Sequence, residues 1–548
     1  MNRGALTALV VLVALVVATS MACTDSPAVD PAPPGTDAGR DARADATSTP
    51  REPPSCEEVV GRPIVRRLTS TQLDNILTDL FASPDVPRAD VLVDPVVRGY
   101  DVDANAAVIR DLGADRWMRA AEAVAAWAVP DHLDAITLCT DTGAVCQLAF
   151  IRQLGLRLYR RPLDAETVNL YVDMLIAEAD FESGARTVLA AMLQSPGFLY
   201  RVEIGERVAD GEPLVELGPF EVASALSFFL TNSAPDAELL AAAGEGRLVT
   251  EEDLDREFDR LVATPRARGA LGHFARQWLL VDGLEGQVKD PAVTSFTDEV
   301  RTSMLRETEA FYANVFESGG GIAELFGGRT SFVDGPLGAF YGVAGVTGTE
   351  LQSFDIDAAH RGPGALGQGS VLASHALADS SSPVQRGALV RRRFLCETLP
   401  PPPPSVIPIL PPSTGAETTR ERNLEHSQNP ACAGCHRLMD PVGFALEHYD
   451  GFGRYRADEN GLPIDATGEI VATPDGDVPL DGAETLSSYL ASSPEARACF
   501  ATNVAYYAFG VEGCTWASIA RDLDADTALR DILRRVVHAR HFRYRTAE

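Results

Sequence analysis

Apolar residues recur at helical spacing through most of the chain, and no other feature of the sequence restricts its fold so strongly. After Thr69, with Gln72 three residues on as a capping box, Leu73, Ile76, Leu77 and Leu80 fall on one face. Asp164 reads as an N-cap, with Leu163 and Val168 placed as a hydrophobic staple and Tyr171, Val172 and Leu175 continuing the stripe. The same spacing predicts helices at 105–128, 184–195, 219–231, 250–262, 265–279, 296–317, 384–396 and 495–509. Strand signals are sparse, the best being a small hairpin within 463–482. The expected fold is therefore mostly α, a multi-domain helical body. Residues 400–412 hold five consecutive prolines and then three more, which predicts an extended spacer rather than a packed element.

The ends of the apolar pattern bear on location. Arg3 precedes an almost wholly apolar run from Ala5 to Ala18, too short for a confident membrane span and the right length for a signal-peptide core. Ser20-Met21-Ala22-Cys23 follows and reads as a lipidation site at Cys23, although Ser20 stands where a leucine is usual. Residues 24–55 carry Pro, Asp, Ala, Thr and Ser with hardly a large apolar side chain, the composition of a flexible tether. The expectation is an exported lipoprotein, periplasmic or at the cell surface, held to the lipid membrane of the outer envelope by its acylated N-terminus. The net charge of -31 argues against a nucleic-acid partner, because an acidic surface repels phosphate backbones.

Residues 432–436 read Cys-Ala-Gly-Cys-His. Two thiols three apart can add across the two vinyl groups of haem, and the histidine that follows then lies under the iron. By composition such a pentamer should occur on the order of 0.002 times in this chain, so chance is a poor account of it. A dithiol redox pair would want a thioredoxin-like βαβ pattern, and a structural zinc site a second Cys/His pair; the sequence offers neither. The reading is one covalent haem c, with Cys432 and Cys435 as thioethers and His436 as proximal ligand. The sixth ligand stays open. No methionine follows Met439, which leaves His426, His375 and His448 as candidates, or an iron open on one side.

Nine cysteines are present. With Cys23 assigned to lipid and Cys432 and Cys435 to haem, six remain, an even number that suits disulfides in an oxidising compartment. Cys139 and Cys146 flank a turn-like Asp-Thr-Gly and are expected to pair. Cys499 and Cys514 bracket one helix and its exit and form the second expected pair, which leaves Cys56 with Cys396 by elimination.

The segment Asn429-Pro430-Ala431-Cys432-Ala433-Gly434-Cys435-His436-Arg437-Leu438-Met439-Asp440-Pro441-Val442-Gly443-Phe444-Ala445-Leu446-Glu447 resembles the haem-motif domain of large secreted cytochrome-like proteins of planctomycetes and myxobacteria. Arg66-Arg67-Leu68-Thr69, Tyr159-Arg160-Arg161-Pro162-Leu163, Leu193 to Tyr200 with Leu226 to Leu230, Ser382 to Gly387, and Tyr506 to Gly510 resemble the accompanying stretches. The resemblance is to tandem domains of unknown function 1587, 1595, 1592, 1588 and 1585. It implies an α-rich, extracytoplasmic body with a C-terminal c-type haem module that contains the small hairpin. The implied division is a signal peptide at 1–22, a tether at 23–55, helical domains at 56–135, 136–210 and 211–350, a haem domain at 351–475, and a C-terminal helical domain at 476–548. It also implies a partner, since relatives are often encoded beside another secreted protein.

Three functions remain after this reading. The first is extracytoplasmic electron transfer, for which the acidic surface favours a basic redox partner. The second is a haem enzyme of peroxidase or oxidase type, which needs an open iron. The third is a scaffold that binds a polymer or partner and carries a structural haem. Paired carboxylates such as Glu251-Glu252 and Asp522/Asp524 read as helix caps and solvated faces. Neither a nucleophile elbow nor a phosphate loop is visible.

Overall fold

The computed structural model describes residues 60–88, 93–137, 143–208, 213–355, 357, 361–399, 415–427, 430–474, 476–511 and 516–547. The signal, tether and proline-rich segments of the sequence reading lie outside these residues, as do Cys23, Cys56, Cys139 and Cys514. Helices dominate, with only small separate sheets between them. Residues Ser55–Glu548 form one compact unit.

The N-terminal helices enclose a core of their own. The strand Ile64–Arg67 pairs antiparallel with Tyr200–Glu203, with Ile64 opposite Glu203, so the two ends of this region are clasped together. Between them the helices Ser70–Phe81, Asp111–Asp131, Ala144–Tyr159, Ala165–Ile176 and Phe181–Gln194 bury Leu73, Trp117, Phe150, Leu154 and Leu189 against one another. The capping box is made as the spacing predicts: the Thr69 hydroxyl accepts from the Gln72 N–H, and the Gln72 side chain accepts from the Thr69 N–H. Asp164 caps the Thr167 N–H at 2.8 Å.

The second and larger core is built around Pro219–Thr231, which is buried on every side from Val222 to Thr231, as expected of a helix apolar all round. Phe228 of this helix reaches the N-terminal core, and so joins the two. Trp278 lies fully buried among Tyr312, Phe326, Phe394 and Phe500, with ring centroids 4.7 to 6.1 Å away. Lys289, the single lysine, sends its ammonium inward to the carbonyls of Ala373, Ala376, Leu377 and Gly451. A buried cation thereby stands in for backbone partners that those turns lack. The hairpin foreseen within 463–482 is formed by Thr467–Thr473 and Gly476–Asp481.

Two expected disulfides are corrected. Cys396 pairs with Cys499, with a Cα–Cα separation of 5.3 Å, so neither Cys499 with Cys514 nor Cys56 with Cys396 is formed. Closeness in sequence misled here. The helix Pro494–Phe509 carries its C-terminal end about 15 Å from Cys499, while its buried face turns Cys499 toward the segment that leaves Phe394. Cys146 is disulfide-bonded, and its expected partner Cys139 is outside the described residues.

One histidine ties the termini of this body to its acid stability. His541, 2% exposed, accepts the Gly61 N–H at Nδ1 over 2.8 Å. Burial, then the positive charge of Arg545, pushes its ring down to about 3. The unfolded chain, with histidine near 6.5, takes up a proton that the folded chain refuses. This contribution is therefore full above about pH 6.5 and is lost as the pH falls toward 3. The urea midpoint should decline across that window, and less steeply in His541→Asn, which keeps an acceptor for Gly61. Equal declines in both proteins would exclude His541 as the cause.

Candidate functional site

Cys432, Cys435 and His436 lie on the helix Pro430–Phe444 at positions i, i+3 and i+4, and therefore on one face. Cys432 is buried and Cys435 half-buried, and both are unpaired thiols. Among the described cysteines the other three, Cys146, Cys396 and Cys499, are disulfide-bonded. One turn further along the same face stands Asp440, whose carboxylate receives His436 Nδ1 at 3.0 and 2.9 Å. The Asp440 side chain is 4% exposed. Its hydrogen bond raises the His436 ring above the ordinary histidine value, against the opposing effect of burial. Among the described residues no group of three or more His, Cys, Asp and Glu is placed to hold a metal ion.

The helix is gripped by the segment that runs from Ser381 to Glu397. Pro383–Leu389 crosses it so closely that a Cβ at Gly387 would stand 1.9 Å from the Met439 carbonyl, and one at Gly443 1.9 Å from the Pro383 carbonyl. Only glycine permits that approach at either point. Arg386, 1% exposed, donates to the carbonyls of Leu446 (2.9 Å), Tyr449 (2.7 Å), Leu372 (2.9 Å) and Asp450 (2.7 Å), and so fixes the turn that follows the helix. Burial pushes its guanidinium down to about 10. After Leu389 the chain enters a π-helical turn, Val390–Phe394, where a regular helix is expected. Such turns re-aim side chains at functional sites. Here Arg391 points to the site, with Nε on the Leu438 carbonyl at 2.9 Å, Nη2 on the Val471 carbonyl of the hairpin, and Nη1 on Glu397.

A second set of polar contacts joins the same segment to the helix Thr419–Ser427, which precedes the motif. Ser381 donates to Glu447 at 2.9 Å, Arg456 bridges Glu447 (3.0 Å) and Glu459 (2.8 Å), and Glu459 receives the Thr419 N–H at 2.6 Å. Glu447 is fully buried and raised by that burial, with Arg386 and Arg456 opposing. Thr419–Ser427 packs on the motif helix.

The candidates for a sixth ligand sit on three different segments. His426 lies on Thr419–Ser427, but its side chain is outside the described residues. His375 follows the helix Gly369–Ser374 and is half-buried, with Nε2 on the Leu279 carbonyl at 2.8 Å; burial, aided by nearby cations, pushes it down to about 4. His448 meets the Arg456 carbonyl at 3.0 Å and stacks on Tyr455. Three residues that shape the site escape the sequence reading: Asp440, Arg386 and Arg391. Asp440 carried a usable signal, since a carboxylate four residues after a candidate metal ligand on a helix lies one turn away. The two arginines carried none, because the backbone carbonyls they hold are remote in sequence.

The carboxylates read as helix caps and solvated faces are exposed, and none of the four caps a helix. Glu251 and Glu252 occupy the first turn of Glu251–Val262, beside the Thr250 capping box, and Asp524 bonds Thr527.

Four family models match the chain in order. They are PSD3, a protein of unknown function (DUF1587), at 66–130; PSD5, a protein of unknown function (DUF1595), at 146–203; PSD4, a protein of unknown function (DUF1592), at 217–343; and PSCyt3, a protein of unknown function (DUF1588), at 362–459. Together they span more than half of the chain, and the last holds the whole Cys-Ala-Gly-Cys-His helix with Arg386 and Arg391. No curated protein and no solved structure matches the chain. Among the described residues no helix is long and apolar enough to cross a membrane.

Proposed function

The chain belongs to the planctomycete-type cytochrome-c-like family in which these four domains stand in tandem, and we propose that it is an envelope-attached c-type haem protein that passes electrons outside the cytoplasm. The observation that carries the proposal is the donor set on one helix face. Two thiols one turn apart are unpaired where the other described cysteines are bonded, and the next residue is a histidine held at Nδ1 by a buried carboxylate. Cys432 and Cys435 would take the vinyl groups as thioethers, and His436 would bind the iron through Nε2. The haem supplies reversible one-electron chemistry. The chain's own residues hold the ligand ring in one orientation, keep the helix fixed through Arg386 and Arg391, and keep the Asp440 carboxylate out of water.

For the sixth ligand we take His426, because its helix packs on the motif helix. His375 would first have to give up the Leu279 carbonyl. Residues 1–22 act as the export signal, Cys23 as the lipid anchor and 24–55 as the tether. The disulfide Cys396–Cys499 fits an oxidising compartment. The net charge of -31 suits a basic redox partner, to which long-range attraction would speed encounter.

Ferric electron paramagnetic resonance on the full chain, made with haem-attachment machinery, tests this reading. A low-spin spectrum that turns high-spin in His426→Ala, with slow cyanide binding to the wild type, is the expected result. A wild type that is already high-spin and binds cyanide or carbon monoxide at once would replace electron transfer with peroxidase- or oxidase-type catalysis.

A further inference from the structure

Asp440 does more than cap a half-buried ring. A carboxylate only accepts hydrogen bonds, so the proton shared at 2.9 to 3.0 Å belongs to His436 Nδ1, and the ring is fixed with its other nitrogen as the electron-pair donor. Both carboxylate oxygens lie within reach of that one N–H, and the two residues sit one turn apart on the same helix. The pair cannot drift, because the backbone immediately before Asp440 is held. The Met439 carbonyl abuts Gly387, and the Leu438 carbonyl receives Arg391. The Asp440 side chain is withdrawn from water, where a charge-assisted hydrogen bond is stronger and is not screened.

We propose that Asp440 is a positioning residue that makes His436 an electron-rich axial ligand, so that this centre favours ferric over ferrous iron and works at low potential. The proposal rests on the haem reading above and assigns a property that the reading leaves open. A neutral acceptor at Nδ1 would orient the ring equally well. The anionic one adds electron density to the imidazole, and ligand basicity is one of the few levers by which a protein sets a haem potential. The direction follows from charge: added donation stabilises the more positive iron.

Two measurements test it. In the full chain carrying haem, Asp440→Asn retains an acceptor for Nδ1–H but removes the charge, Asp440→Ala removes both, and Asp440→Glu restores the charge. The midpoint potential should rise in Asn, rise further in Ala, and return toward the wild type in Glu, with haem content by pyridine haemochrome held constant. A potential unchanged in Asn and Ala, at full haem content, overturns the proposal and leaves the haem reading intact. In haem-free full-length protein, histidine-ring nitrogen resonances, with His436 assigned through His436→Gln, should show the Nδ1-protonated form in the wild type and its loss in Asp440→Ala. An Nε2-protonated or freely exchanging ring in the wild type overturns the pairing, whether or not any variant loads haem. A wild type that takes no haem overturns both readings together.

Discussion

Arg386→Met is expected to destabilise the protein by about 3 kcal/mol, because it strands the buried carbonyls of Leu372 and Tyr449 and takes one of two donors from those of Leu446 and Asp450. Each orphaned acceptor costs on the order of 1–3 kcal/mol, and partial relaxation of the turn keeps the sum below the simple total. Lysine should not rescue it. An ammonium on a flexible stem is a compact point of charge, whereas the planar guanidinium holds Leu446 and Tyr449 from Nη1 and Leu372 and Asp450 from Nη2. The effect should extend to the site, since the turn held by Arg386 directly follows the motif helix. We expect the urea midpoint of Arg386→Met to fall sharply, with haem incorporation falling alongside it, and Arg386→Lys to lie nearer Met than wild type. A Lys variant of wild-type stability would show that charge, and not the forked geometry, holds the turn.

Glu203→Gln should cost on the order of 3–5 kcal/mol by a different route. Glu203 is 1% exposed and pairs with Arg66 (3.3 Å), Arg201 and Arg545. These arginines come from the first strand, the strand paired to it, and the last strand of the chain. Burial opposes its ionisation, but Arg201, Arg66 and Arg545 outweigh that and hold its carboxyl well below the usual range. Glutamine leaves three buried cations without their anion, a far worse outcome than the loss of an exposed pair. Because the folded value is depressed, the contribution is present above about pH 4.5 and is lost as the pH falls below it. Wild type and Glu203→Gln should therefore differ widely in urea midpoint at pH 7, and the gap should narrow as the pH falls below about 4.5. A constant gap at all pH values would mean that shape, not charge, makes Glu203 necessary.

Local physics made much of this fold legible. The helix expected at 219–231 is found at Pro219–Thr231, and those expected at 250–262 and 296–317 at Glu251–Val262 and Asp298–Glu317, because an apolar stripe and its caps are properties of neighbouring residues. The Thr69–Gln72 box and the hairpin at 467–481 were visible for the same reason. What the sequence concealed were pairings between distant segments. Cys396 finds Cys499 across 103 residues, and Arg386 finds its carbonyls some 14 to 64 residues away. Neither distance is encoded in any local period. The close crossing at Gly387 and Gly443 belongs to the same class: each glycine is ordinary until the partner backbone is beside it. The site divides along that line as well. Its donors Cys432, Cys435 and His436 were plain from spacing, and so, in principle, was Asp440. The struts Arg386 and Arg391, which hold the helix, became visible only with the fold.

The central claim is a covalent haem on Cys432 and Cys435, and the intact mass of the denatured full-length protein tests it most directly. Made in cells with haem-attachment machinery, the wild type should weigh the mature chain plus one haem, and that mass should survive acid-acetone extraction. Cys432→Ala with Cys435→Ala should return the bare chain, while His436→Gln should disturb the spectrum. A wild type at bare-chain mass under those conditions, or one carrying stoichiometric zinc, would contradict the account.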